Sequence, residues 1–569
     1  MKKPGKGIIS IGEIIIFTLL LLYVIIFIAY PMLIVVFESF HDPKTQALSI
    51  NNYIKFFSDT YYYQCLINSV IAAILTILVT TLLGIPLAYI LARYRLAGKT
   101  LYTALSLLPI LLPPYVGAFA FIILFGKMGI INLLLMQIGL IKQPIDFLYG
   151  LHGLVFVESI HLLPFIVLTT AAGMTQIDPS FEEVAEVAGA SGLRRTLTIT
   201  LPLITPQYAS GAFLVFSYVL GDWLTPLILG QKYYLASVAF LNIAYHFADI
   251  ERKYMGIIAA VLASLLSVAS LMAVRTYVER KSYAALSKGT TAEGRVIPIK
   301  GIKKVAAYLY VFFTMILVLL SPIIIAIAAF SRRWILTPFP EYYTFENIRM
   351  LFIELPSYIQ NTLIFSAIAL LMALPIALGT GYVLARTNIS GKNVLDGIMT
   401  SVLAIPGIMM GIGYLIGFDY PLPFINESLS RVWLIMPLVL TARRLPYMTR
   451  TTHASFLQLE KSLEEAAFVS GASKLRTFFN ITLPLILKGV FAGMLLFLVM
   501  AIQEISATIF LYRPGWETLP IGIYLQWNRG TEFGVPAAAA FILIIFTLIL
   551  LIIFSKTGQR VLGGAFAAV

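Results

Sequence analysis

Few side chains in this 569-residue sequence have the type and spacing to do chemistry, and most of those fail once their neighbours are considered. Gly98-Lys99-Thr100 ends like a phosphate-binding loop. The first glycine of such a loop should stand where the sequence has Arg93, so no nucleotide-binding loop is visible. The five His are scattered without zinc-ligand spacing, and no Ser, His and Asp set stands out. The single cysteine, Cys65, excludes an intrachain disulfide and any multi-cysteine metal or iron–sulfur site. Glu158 and His161 lie one helical turn apart, a metal-ligand spacing, but a lone pair supplies too few ligands; a structural polar contact is expected. Two acids remain: Asp222, in Gly-Asp-Trp-Leu-Thr-Pro, and Glu504, which follows Gln503 (504 − 222 = 282). Both stand in apolar surroundings, where a carboxylate is costly and tends to face a cavity or the bundle interior. They could line a pathway that meets a cationic solute or a basic partner, with Gln503 beside them, or they could make interhelix hydrogen bonds.

The elements that must position these residues are membrane helices. Hydrophobic residues make up 59%, charged residues only 12%, and the mean hydropathy is +0.91. A soluble domain carries about twice that charged fraction. The expected fold is all-α and polytopic. About twelve spans are expected near 14–37, 65–91, 101–125, 151–172, 208–229, 255–274, 305–330, 358–385, 394–418, 431–448, 489–511 and 535–554. The basic start MKKPGKG and the long apolar run after it read as a first helix that is retained rather than a signal peptide. A basic, polar stretch, 275–304, looks like a join, which divides the chain into 1–280, a linker 281–304, and 305–569. The net charge of +13 is a topology signal: with both termini cytoplasmic, most of the 40 Lys and Arg fall inside. Arg443 and Arg444 weaken the tenth span and are expected near its inner end, snorkelling to the interface.

The chain repeats itself. Asn68, Tyr89, Arg93, Gly98, Lys99 and Pro113 recur, shifted by 293 (386 − 93 = 293), as Asn361, Tyr382, Arg386, Gly391, Lys392 and Pro406. Further on the shift is 282 (465 − 183 = 282): Glu182–Ile204 reads EEVAEVAGASGLRRTLTITLPLI and Glu464–Ile486 reads EEAAFVSGASKLRTFFNITLPLI. Two parallel six-helix repeats follow, with both polar islands on the same side. Ser180 with Glu183, and Ser462 with Glu465, have capping-box spacing, so each island should open a short helix. Gly189 and Gly471 stand where that helix would end in a left-handed residue, before a second helix and a Pro-marked exit.

These islands, 180–204 and 462–486, resemble the EAA signature of ABC importer permeases, E-A-A-three-G-nine-I-x-L-P, with Val184 in place of the first Ala of copy one. The resemblance implies a type I ABC importer transmembrane fold in a fused two-half chain. It also implies that each island carries a coupling helix, docked in a groove of a separate ATPase subunit. The residues assigned to that contact are Glu182, Glu183, Ala185, Gly189, Glu464, Glu465, Ala467 and Gly471. Ala185 and Ala467 would keep the helix thin enough for the groove, and Glu183 and Glu465 would offer a carboxylate for capping or for a basic partner. Two copies of an ABC ATPase subunit and an extracytoplasmic solute-binding protein are the implied partners, in a cell membrane. ATP and Mg would be bound by the ATPase and no cofactor by this chain, which catalyses no bond chemistry.

Beyond the second island, EISATIFLYRPGWETLPIGIYLQWNR (504–529) looks like a segment of fused permeases in the ferric iron, thiamine and aminophosphonate group. GDWLTPLILG (221–230) looks more like polyamine permeases. Ferric iron is the expected solute, with polyamine, thiamine or phosphonate as alternatives. The rival class is an ion-coupled secondary transporter using Asp222 and Glu504 as proton or cation sites. The duplicated island argues against it, because such a carrier needs no ATPase dock.

Overall fold

A computed structural model describes residues 10–558 apart from 43, 46, 191, 231–233, 246–247, 286–297, 333, 335–336, 422–425 and 530–532. Backbone polar groups in a bilayer must be satisfied within the chain, so the apolar runs become helices. The described secondary structure is helical except for two-residue strands, Ser331–Arg332 paired antiparallel with Tyr342–Tyr343. Among the described residues ten helices are long and apolar enough to cross a membrane.

The two remaining expected spans differ for physical reasons. The ninth is a bent pair, Lys392–Ala404 and Gly407–Gly417, turning by 112° around Pro406. Proline lacks the amide donor and its ring blocks a continuing turn. The matching Pro113 breaks the third run into Lys99–Leu105, Leu108–Leu111 and a helix that begins at Pro114. The tenth is helical over Ile435–Gln458 but carries Arg443, Arg444 and Arg450. Arg443 and Arg444 sit mid-helix and largely buried, so they do not snorkel as expected. The helix Ile250–Ala285 runs past Val274, so 275–285 is helical rather than linker, and the centre of the expected join lies outside the described residues.

The chain forms two compact units that do not coincide with the sequence halves. One is built on Pro356–Ile521 and takes in the first helix, Ile11–Val24, with its continuation to Glu38. Tyr30 Oη donates to the Gly417 carbonyl at 2.9 Å and Tyr414 Oη to that of Phe27 at 2.7 Å. At Gly413 a side chain would collide with the Pro31 backbone, so the glycine sets how closely these helices approach. The other unit comprises Ser39–Leu355 and Gly522–Ile544, and so includes the helix Gly301–Ala329. Tyr310 Oη donates to the Leu83 carbonyl at 2.8 Å, and Tyr308 Oη accepts the Ala97 amide at 3.0 Å. Each repeat therefore lends its first helix to the other repeat's unit.

Candidate functional site

Both islands form the short helix that the sequence suggests, over Pro179–Val187 and Lys461–Val469. Their starts differ from the expected capping boxes. Asp178 caps the first, its Oδ1 accepting the Ser180 amide at 2.9 Å, and Pro179 takes the first helical position. That amide holds the Asp178 carboxyl below its usual range. The second starts after Glu460 with no side-chain cap. Proline's fixed φ suits the first turn and displaces Ser180 into the helix. The ends agree with expectation. Gly189 has φ +83° and Gly471 φ +84°. Around each glycine two bonds close the helix: Gly189 N to Glu186 O with Ala190 N to Ala185 O, and Gly471 N to Phe468 O with Ala472 N to Ala467 O. This is the Schellman pairing, which needs a left-handed residue.

No break follows at the proline. A turn at Gly192–Arg195 leads through a π-helical segment, Thr196–Thr200, into Leu201–Gly221. Lys474–Thr477, Phe478–Thr482 and Leu483–Ala501 repeat the pattern. Pro202 and Pro484 thus lie just inside the membrane helices rather than marking an exit. The wide π turn before each relieves the clash between the proline ring and the preceding turn.

The inward faces of the short helices carry duplicated buried ion pairs. Glu182 Oε1 accepts Arg93 Nη2 at 2.7 Å and Thr200 Oγ1 at 3.1 Å. Glu464 Oε2 accepts Arg386 Nε at 2.7 Å, and its Oε1 accepts Thr482 Oγ1 at 2.7 Å. Side-chain exposures are 1% and 3% for the first ion pair, 7% and 11% for the second. Ala185 and Ala467 lie one turn on, on the same face, and are buried. They pack into their own chain. Glu183 and Glu465 are exposed. So is an apolar ridge: Val184 and Val187 on the first helix, Val469 on the second, with Val187 and Val469 both 90% exposed. Arg93, Arg386, Thr200, Thr482, Val187 and Val469 were not singled out by sequence reasoning, although the recurrence of Arg93 as Arg386 was a signal.

Asp222 and Glu504 lie not inside helices but in breaks, after Gly221 and after Ala501. Their surroundings differ. Glu504 pairs with Arg444, lies 3.8 Å from Arg443 Nε, and accepts the Ala507 amide at 3.0 Å. Two guanidiniums thus face one carboxylate, a contact between elements that the sequence left open beside a pathway role. Asp222 Oδ1 accepts the Leu224 amide at 2.9 Å and the Thr225 amide at 3.3 Å. Glu158 is buried, and among the described residues no group of three or more His, Cys, Asp and Glu could hold a metal. Gln503 is half-buried and donates to the Val499 carbonyl at 3.0 Å.

The fold and site define a class: a multi-pass, all-α inner-membrane protein built from two repeats, each with a short capped helix beside its membrane helices. The binding-protein-dependent transport system inner membrane component family matches the chain twice, over residues 81–282 and 373–563, and the chain belongs to that family. The chain is 26% identical over 547 residues to the ferric transport system permease protein FbpB of Actinobacillus pleuropneumoniae, covering 94% of this chain and 77% of that one. It is also 26% identical over 505 residues to a putative ferric transport system permease protein of Haemophilus influenzae, covering 86% and 77%. The molybdate/tungstate transport system permease protein WtpB of Methanocaldococcus jannaschii is 31% identical over 198 residues, 34% of this chain and 78% of that one.

Proposed function

We propose that this chain is the membrane subunit of an ATP-driven importer whose two ATPase subunits seat on the helices Pro179–Val187 and Lys461–Val469. The carrying observation is the exposed valine, Val187 or Val469, at the same place on both short helices, each anchored from beneath by a buried ion pair. An apolar side chain left in water is well suited to fill a partner's pocket. ATP binding draws the two helices together and drives alternating access, and an extracytoplasmic binding protein delivers the solute. Both termini and both docking helices lie on the cytoplasmic side. Cys65 is buried, so cysteines introduced as Val187→Cys and Val469→Cys give specific crosslinks. Both should crosslink to the ATPase; cysteines that react with a soluble thiol reagent yet never crosslink would remove the docking assignment.

The solute proposed is ferric iron, supported by the long-range likeness to ferric permeases. A second reading, a tetrahedral oxyanion, is favoured by the Arg443 and Arg444 pair, whose charge exceeds that of Glu504, and by the likeness to a molybdate/tungstate permease. Uptake of labelled iron against labelled molybdate, each with its binding protein, decides between them.

A further inference from the structure

We infer that Arg93 and Arg386 are positioning residues that make each docking helix move as one body with the end of a long membrane helix. This rests on the docking proposal above and concerns how a displacement there reaches the membrane. Arg93 is the last residue of the helix Thr60–Arg93, and Arg386 the last of Pro356–Arg386. Each guanidinium reaches a glutamate on a short helix of only nine residues. The same carboxylate also takes a hydroxyl from the π-helical start of the following membrane helix, Thr200 or Thr482. Three separate elements thus meet at one carboxylate in each copy, the arginine's helix from 89 or 78 residues away. Arg386 adds a bond to the Leu459 carbonyl at 3.0 Å, just before the second docking helix starts.

Stability alone is a poor reason for this arrangement. Desolvating a buried ion pair often costs as much as the pair returns, and apolar replacements frequently stabilise. The arrangement is nonetheless built twice. The arginine recurs at a shift of 293 and the glutamate at 282, so the contact survives a change of register between them (293 − 282 = 11). The covalent route between a docking helix and the rest of its unit runs through short connections around Asp178 and Gly189, or Glu460 and Gly471. Charge-assisted hydrogen bonds at 2.7 Å are directional and short, and resist sliding where such connections bend. A push on Val187 or Val469 is therefore delivered to the ends of two membrane helices at once.

The test uses the complete complex of this chain, its ATPase and its binding protein in proteoliposomes, with Arg93→Met and Arg386→Met combined. The readout is solute moved per ATP hydrolysed. That ratio should fall at least about fivefold, the lower end of coupling between distant sites, while crosslinking at Val187→Cys and Val469→Cys persists. An unchanged ratio, or less complex with an unchanged ratio, would overturn the inference, and so would loss of crosslinking, which would make the pairs mere supports for docking. Should the double variant fail to assemble, Thr200→Val with Thr482→Val removes one hydrogen bond per copy at nearly constant shape. The ratio should then fall about twofold, a small share of that coupling range; no fall would overturn the inference. A wild-type chain that never crosslinks would instead defeat the docking proposal itself.

Discussion

Replacing Val187 and Val469 by aspartate tests where the ATPase binds. Both valines are 90% exposed, so almost the whole side chain is available for burial by a partner, and neither supports its own helix. Burying a valine contributes about 1.5 kcal/mol or more. Each 1.4 kcal/mol is about a factor of ten in affinity. Each aspartate should therefore weaken ATPase binding at least about tenfold, and the unpaired carboxylate forced into an apolar pocket adds to that loss. The pair of substitutions should abolish copurification at micromolar subunit concentrations. Because the positions face solvent, membrane insertion and thermal stability of the isolated chain should stay within about 0.5 kcal/mol of wild type per site. The assay is ATPase binding to the detergent-purified chain by biolayer interferometry, with unfolding followed in parallel. Full-strength binding by the double variant would refute the reasoning, and a loss of binding matched by unfolding would show that the valines serve the fold.

Three other outcomes follow from local geometry. At Gly189 and Gly471 nothing lies within 4 Å of an added Cβ, so only the positive φ resists substitution. Valine there should cost about 1–2 kcal/mol and lower transport, asparagine should cost less, and equal transport by all variants would dismiss the left-handed turn as a requirement. Glu504→Gln strips two largely buried arginines of their carboxylate and should destabilise by about 3–5 kcal/mol, whereas Asp222→Asn keeps an oxygen to accept the Leu224 amide and should cost about 1 kcal/mol; equal losses would contradict the difference in surroundings. The Asp178 carboxyl is held low by the Ser180 amide, so its cap contributes fully above about pH 4 and fades as pH falls through the depressed folded value. Hydrogen-exchange protection of the first turn should drop there at Pro179–Val187 and not at Lys461–Val469, which has no side-chain cap; parallel behaviour of both would refute this.

Much of the fold was legible because it depends on composition and local chemistry. Apolar runs marked the membrane helices, and Gly189 and Gly471 announced left-handed helix ends that only the smallest residue occupies without strain. The first capping box misled because Pro179, better suited to a first turn than Ser180, lay one residue earlier. The inward turn of Glu182 and Ala185 was hidden, because its cause is Arg93, 89 residues before the glutamate. The matched acids Asp222 and Glu504 looked equivalent in sequence. Their difference comes from the helix Ile435–Gln458, which brings Arg443 and Arg444 to Glu504. The exchange of first helices between units leaves no local trace, since each is simply a long apolar segment.

The most direct measurement is uptake by proteoliposomes holding the wild-type chain with its ATPase subunits, supplied with solute-loaded binding protein outside and ATP within. Uptake should require both ATP and the binding protein, and should stop when the Val187→Asp and Val469→Asp chain replaces the wild type. Uptake by the chain alone, driven by an imposed proton or sodium gradient without ATP, would contradict the assignment and make it an ion-coupled carrier.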